Sequence, residues 1–179
     1  MKSVCKWIVG NCSNLALEIL RVSVRKFKRI YGNTFDIIIC CNNLNPSLLS
    51  NINVEIYQQN IKDSLLQFDF NPSELGSREG SVWKFCPPRL RNNCHELWLD
   101  NDIIFDKPLP SIDKWLESNK TIISKGIHGV YGMYQHQVKE KVCAGLFGIP
   151  PDLDMSEEIK KHAFNIFHHG WDEQGLTAK

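Results

Sequence analysis

The chain has 179 residues, 42% of them hydrophobic and 23% charged. That suits one globular domain able to bury about 70% of its unfolded surface without a disulfide or zinc staple, and it excludes a disordered chain. Lys plus Arg is 21 against 20 Asp plus Glu, a near balance that argues against a dedicated nucleic-acid binder, whose affinity comes from a surplus of cations. No run reaches the roughly 18 apolar residues a membrane span requires. Residues 1–10 are too short in apolar stretch for a secretory signal. The seven cysteines are an odd number without a C-x-x-C pair, which reads as reduced thiols in a cytoplasmic protein.

The first half alternates strand-like and helix-like segments. Trp7-Ile8-Val9 is a short apolar run closed by the polar loop 10–14, with Ser13 or Asn14 as the N-cap of a helix reaching about Tyr31. Ala16, Leu20, Val24, Phe27 and Tyr31 mark its apolar stripe, and Gly32-Asn33 ends it. Its basic side is read as a solvated face. A strand over 36–41 and an alternating strand over 53–57 complete a β-α-β-β opening, the pattern of a sheet covered by helices.

Residues 69–80 read as an irregular loop, and 81–90 as a helical start interrupted by Pro87-Pro88. A strand follows at Glu96-Leu97-Trp98-Leu99. Ser111 is the expected cap of a short helix over 112–117, and 121–123, 129–133 and 142–148 read as extended. Two acids at Glu157-Glu158 favour a helix start there, with Ile159, Ala163, Ile166 and Phe167 as its buried stripe. His162, His168 and His169 lack a cysteine at zinc spacing and read as surface or interface residues. No second-domain boundary stands out, so 1–179 is expected to be a single domain.

The most informative segment is Asp100-Asn101-Asp102, two acids inside an apolar run. A buried unpaired carboxylate costs several kcal/mol, so each needs a partner or an ion. In extended chain, residues two apart point to one side, so both carboxylates could reach one cation with Asn101 facing away. A hard divalent ion held by one or two carboxylates, waters and substrate phosphates is the usual Mg²⁺ arrangement, and Mn²⁺ accepts similar oxygens. The plain alternative is a solvated turn tied to nearby amides or Lys107. An EF-hand is excluded by Phe105 where Gly is required and by Ser111 where an acid is required. The haloacid-dehalogenase pattern wants Thr or Val where Ile104 stands.

Taken in order, these pieces resemble the nucleotide-diphospho-sugar transferases of the GT-A fold. The resemblance rests on the opening strand and loop 7–14, the strand and loop 37–43, Trp83-Lys84-Phe85 with Arg89-Leu90, and 97–102. It continues through Ala144-Gly145-Leu146-Phe147-Gly148-Ile149-Pro150 and Trp171-Asp172-Glu173-Gln174-Gly175-Leu176. It implies an α/β, Rossmann-like fold with a mostly parallel central sheet flanked by helices. It also implies transfer of a sugar from a nucleotide-diphosphate donor to an unknown acceptor, with Mn²⁺ or Mg²⁺ held by Asp100 and Asp102.

By the same resemblance Gly10, Asn11, Asn42, Asn101 and Gly145 would lie against the donor, together with Asp100, and Lys84 and Arg89 would contact its diphosphate. Asp172, then Glu173, is the expected catalytic carboxylate, either as general base or as the group beside the reacting carbon. Their plain reading is N-terminal charge on a helix. Transferases of this fold commonly continue beyond the D-E-Q-G-L region, so the domain is expected to be incomplete, minimal in acceptor recognition, or completed by another chain. An uncovered C-terminal side would favour association with a second copy. The alternative function is a non-catalytic nucleotide-sugar-fold module that binds a ligand or partner.

Overall fold

The computed structural model describes residues 2–42, 45–72, 74–75, 79–163, 166–168 and 172–179. Expectations at Asn43, His169 and Trp171 lie outside the described residues.

Six strands form one sheet in the order β3-β2-β1-β4-β6-β5. They are β1 Ser3–Val9, β2 Phe35–Cys41, β3 Glu55–Gln58, β4 Glu96–Leu99, β5 Ile122–Lys125 and β6 Val142–Ile149. The first four are mutually parallel, and β6 runs antiparallel to both β4 and β5. The chain builds β1, β2 and β3 outward on one side, then returns to lay β4 on the other side of β1. A crevice opens at such a reversal, beyond the carboxyl ends of the two strands that flank it. This is the mostly parallel α/β architecture expected from the sequence.

Strand periodicity explains why β1 is apolar on both faces. Cys5, Trp7 and Val9 face the core layer under α1 (Asn14–Tyr31), while Val4 and Ile8 face the second layer under α4 (Met155–His162) and α5 (Asp172–Thr177). α1 is capped by Ser13, whose hydroxyl accepts from the Ala16 amide. Its stripe is Leu17, Leu20, Val24, Phe27 and Tyr31, with Ser23 buried mid-helix to accept from the Trp7 indole at 3.0 Å. Ala16, expected in that stripe, is only half-buried because the first turn opens toward the β1–β4 crevice.

Other boundaries move for local reasons. α3 (Pro110–Leu116) begins with proline at its first position, where no amide is needed, so Ser111 is not its cap. α4 is capped just ahead of the expected Glu157-Glu158 start, by Asp154 accepting from the Ser156 and Glu157 amides. α4 ends at His162, so Phe167 is buried through a bridge to Phe68 rather than along a helical stripe, and Ile166 is exposed. The segment 129–133 is not a strand; a single 3₁₀ turn forms at Gly132–Tyr134. The short α2 (Glu79–Val82), followed by a 3₁₀ turn at Trp83–Phe85, replaces the helix expected over 81–90.

A buried ion pair lies inside the second layer. Lys6 Nζ is 3.3 Å from Glu96 Oε2, both almost fully removed from water, and sits 4.2 Å over the Trp98 ring. Glu96 Oε1 accepts from the Leu90 and Arg91 amides. The neighbouring Cys40 thiol is pushed up to about 12, chiefly by burial.

Candidate active site

The crevice between β1 and β4 is a cleft of about 330 Å³. Gly10 and Cys12 reach it from the loop after β1, Ala16 and Ile19 from α1, Gly80, Ser81 and Lys84 from α2 and its 3₁₀ extension, and Asp100, Asn101 and Asp102 from the end of β4. The topology thus brings the expected acids, a glycine loop and a lysine to one place.

Asp100 and Asp102 do not continue the strand. β4 ends at Leu99, and 100–103 form a turn closed by the Ile103 amide donating to the Asp100 carbonyl at 3.1 Å. The same-side argument for extended chain therefore does not apply, yet the turn puts both carboxylates on the cleft wall, where both are exposed. Asn101 Oδ1 is buried without a hydrogen-bond partner among the described residues, an arrangement that natural cores avoid outside functional places.

Lys84 is the electrostatic centre. Its ammonium is buried and donates to the Ala144 carbonyl at 2.8 Å, pairs with Glu173 Oε1 at 2.5 Å, and reaches Asp100 Oδ1 at 3.5 Å. Burial pulls its proton affinity down, but Glu173 and Asp100 outweigh that and raise it, so the ammonium stays charged. Burial pushes the Glu173 carboxyl up despite the opposing pull of Lys84. Gly145 makes room for this cluster: its carbonyl accepts from the Asp100 amide at 2.8 Å, and a Cβ there would lie 3.1 Å from Asp100 Oδ2.

Sequence reasoning missed Glu79. Its buried carboxylate accepts from the Asn11 amide at 2.8 Å, the Asn42 side-chain amide at 3.0 Å and the Trp83 indole at 3.3 Å. Asn11 and Asn42 are thus tied to Glu79 rather than lining the cleft. Beside them Gly10 and Gly80 pack backbone to backbone; a Cβ on Gly10 would lie 2.7 Å from the Gly80 nitrogen. Nothing in the spacing of a lone glutamate in an irregular stretch signals such a clamp.

Two expected residues stand elsewhere. Arg89 donates to the carbonyls of Arg91, Cys94, Pro150 and Leu153, which ties the segment before β4 to the segment after β6. Its Nε also lies 4.0 Å from Glu96 Oε1, and Arg89 does not line the cleft. Asp172 is fully buried and accepts from the Met133 amide at 2.8 Å and the His168 amide at 3.2 Å. That carboxylate fixes the backbone ahead of α5, and the adjacent Glu173 turns to Lys84.

Among the described residues no group of three or more His, Cys, Asp or Glu side chains could hold a metal ion. His162 pairs with Glu158, and His168 with Asp69.

The sheet order, with an acid-bearing turn at its reversal point, defines a mostly parallel α/β protein with a switch-point cleft. No protein-family description and no curated protein matches the sequence. Solved structures do match the fold. The galactosyltransferase LgtC, crystallised with donor and acceptor sugar analogues, superposes with a TM-score of 0.63 at 14% identity, covering 98% of this chain and 70% of that one. An active-site mutant of LgtC gives 0.62 at 11% identity, with the same coverage. Apo mouse xyloside xylosyltransferase 1 gives 0.52 at 10% identity, covering 99% of this chain and 80% of that one. The chain has the GT-A glycosyltransferase fold.

Proposed function

We propose that the chain binds a nucleotide-diphosphate sugar in the β1–β4 cleft and transfers the sugar to an acceptor. The observation that carries this reading is the meeting of Lys84, Asp100 and Glu173 at the switch-point cleft beside Asp102. The fold it shares with sugar transferases supports the same reading.

A divalent cation suits the donor set. Asp100 and Asp102 offer exposed hard oxygens, with Asn101 Oδ1 unpartnered between them. With two carboxylates, such an ion would complete its shell from water and phosphate oxygens, as Mg²⁺ and Mn²⁺ do. When bound it would stabilise the negative charge that builds on the departing nucleoside diphosphate.

The chain's own residues divide the remaining work. Gly10 and Gly80 let the two backbone segments pack closely at the cleft floor. Lys84 stays protonated beside the diphosphate position and holds Glu173 in place. Glu173 stands behind Lys84 as the carboxylate closest to its ammonium and acts on the reacting sugar through it, and Asp172 locks the backbone one residue before. An interaction that strengthens as charge develops is what accelerates the transfer.

Calorimetry with uridine or guanosine diphosphate, with and without Mn²⁺, tests the reading. The expected result is metal-dependent binding that Asp102→Ala abolishes, followed by donor hydrolysis that Glu173→Gln slows. Absence of any nucleotide binding would reject it and leave a non-catalytic module of the same fold.

A further inference from the structure

The outward side of α1 is largely exposed and has an unusual composition. At about 100° per residue, Leu15, Glu18, Val22, Arg25, Lys26 and Arg29 fall within an arc of about 100° opposite the buried stripe. Leu15 is 70% and Val22 42% exposed, and Ile104, in the loop that α1 engages through Ser23 and Lys26, is 48% exposed. Val22, Arg25, Lys26 and Arg29 line a shallow groove of about 290 Å³. Glu18 is neutralised by Arg21, and Lys26 by Asp106. Arg25 and Arg29 form no salt bridge among the described residues.

We propose that this face docks on an anionic lipid bilayer. The chain is near neutral overall, with a net charge of +1, whereas Arg25 and Arg29 give this face positive charge that no salt bridge among the described residues cancels. Cations alone would suit any polyanion. The exposed aliphatic side chains Leu15 and Val22 on the same arc gain nothing from a nucleic-acid backbone, but they gain burial at the boundary between headgroups and acyl chains. The geometry is that of a helix lying in the membrane plane, apolar residues inserted and arginines at the phosphates. Among the described residues no helix is long and apolar enough to cross a membrane. Ala16 and Ile19 on the flank of the same helix line the cleft, so docking holds the cleft beside the bilayer.

Vesicle co-sedimentation of the full chain tests this without any donor, independently of the transferase reading. Vesicles of phosphatidylcholine and phosphatidylglycerol in equal parts should retain the protein, pure phosphatidylcholine should not, and added salt should release it. Each cation near an anionic surface is worth about fivefold in partitioning, so Arg25→Gln with Arg29→Gln should lower retention by about 25-fold. Leu15→Ser with Val22→Ser should lower it at constant charge, with circular dichroism confirming unchanged helix content. Equal retention of the arginine variant, or no retention by either vesicle, would overturn the proposal. Binding to single-stranded RNA that the serine variant leaves intact, without vesicle binding, would overturn it in favour of a nucleic-acid surface.

Discussion

Lys6 and Lys84 both lie out of water and both face carboxylates, but their surroundings differ. Lys6 sits in the middle of β1, sealed between Glu96 and the Trp98 ring, and the remaining Glu96 oxygen is met by two backbone amides. Lys84 sits at the rim, where one of its carboxylates, Asp100, is half exposed on a cleft. A closed pair has nothing left to offer a ligand, whereas an open one can exchange a carboxylate partner for an incoming phosphate. Burial of charge alone therefore does not mark a site; burial beside an opening does.

Lys6→Ala gives the largest expected effect on stability. It removes the ammonium beside the buried Glu96 and leaves that carboxylate with two amides and the Arg89 Nε 4.0 Å away, a loss of about 3–5 kcal/mol, to be read from urea unfolding. A loss near zero would show that the pair is dispensable. Lys84→Met strands the buried Glu173 while Asp100 can turn to water, an expected loss at the lower end of that range, about 3 kcal/mol, and it should remove nucleotide binding as well. Its pH signature sharpens the contrast. The folded chain holds the Lys84 proton more tightly than the unfolded chain does, so this contribution is complete below the ordinary lysine range and is lost as pH rises through the raised value. The wild-type stability curve should fall there, and the Lys84→Met curve should lack that component.

Gly10→Ala tests the cleft floor from the backbone side. Its Cβ would collide with the Gly80 nitrogen at 2.7 Å, which costs about 1–3 kcal/mol when neighbours must shift, and it should weaken nucleotide binding in calorimetry. Asp102→Ala should leave the unfolding midpoint unchanged and abolish only the metal-dependent part of nucleotide binding. The smallest perturbation is chemical: iodoacetamide should label the exposed Cys143 first, while Cys40, buried and pushed up to about 12, should resist in the folded chain. Mass spectrometry of the labelled peptides reads the order.

The sheet and its helices were legible because periodicity reports burial directly: β1, α1, β2, β4 and β6 follow from runs and stripes in the sequence. The cleft was legible in part. Asp100, Asp102, Lys84 and Gly10 meet as expected. Arg89 and Asp172 did not, because both carry charge that the backbone consumes, through carbonyls for one and amides for the other. Such satisfaction depends on where distant loops pass, which residue type alone does not encode. Lys6 hides for the same reason: a lysine in strand alternation reads as solvent-facing until the glutamate 90 positions later is seen beneath it.

Glu79 has a consequence for how the molecule comes together. The ends of two neighbouring strands, at Asn11 and Asn42, are joined by one carboxylate 68 and 37 positions further along the chain. Contacts of such separation pay loop-closure entropy before they return any gain. The early β-α-β unit can form from nearby residues, but the pocket floor is latched only when that glutamate arrives. Ligand readiness is in this sense a late event of folding, and a chain interrupted before residue 79 would lack the latch.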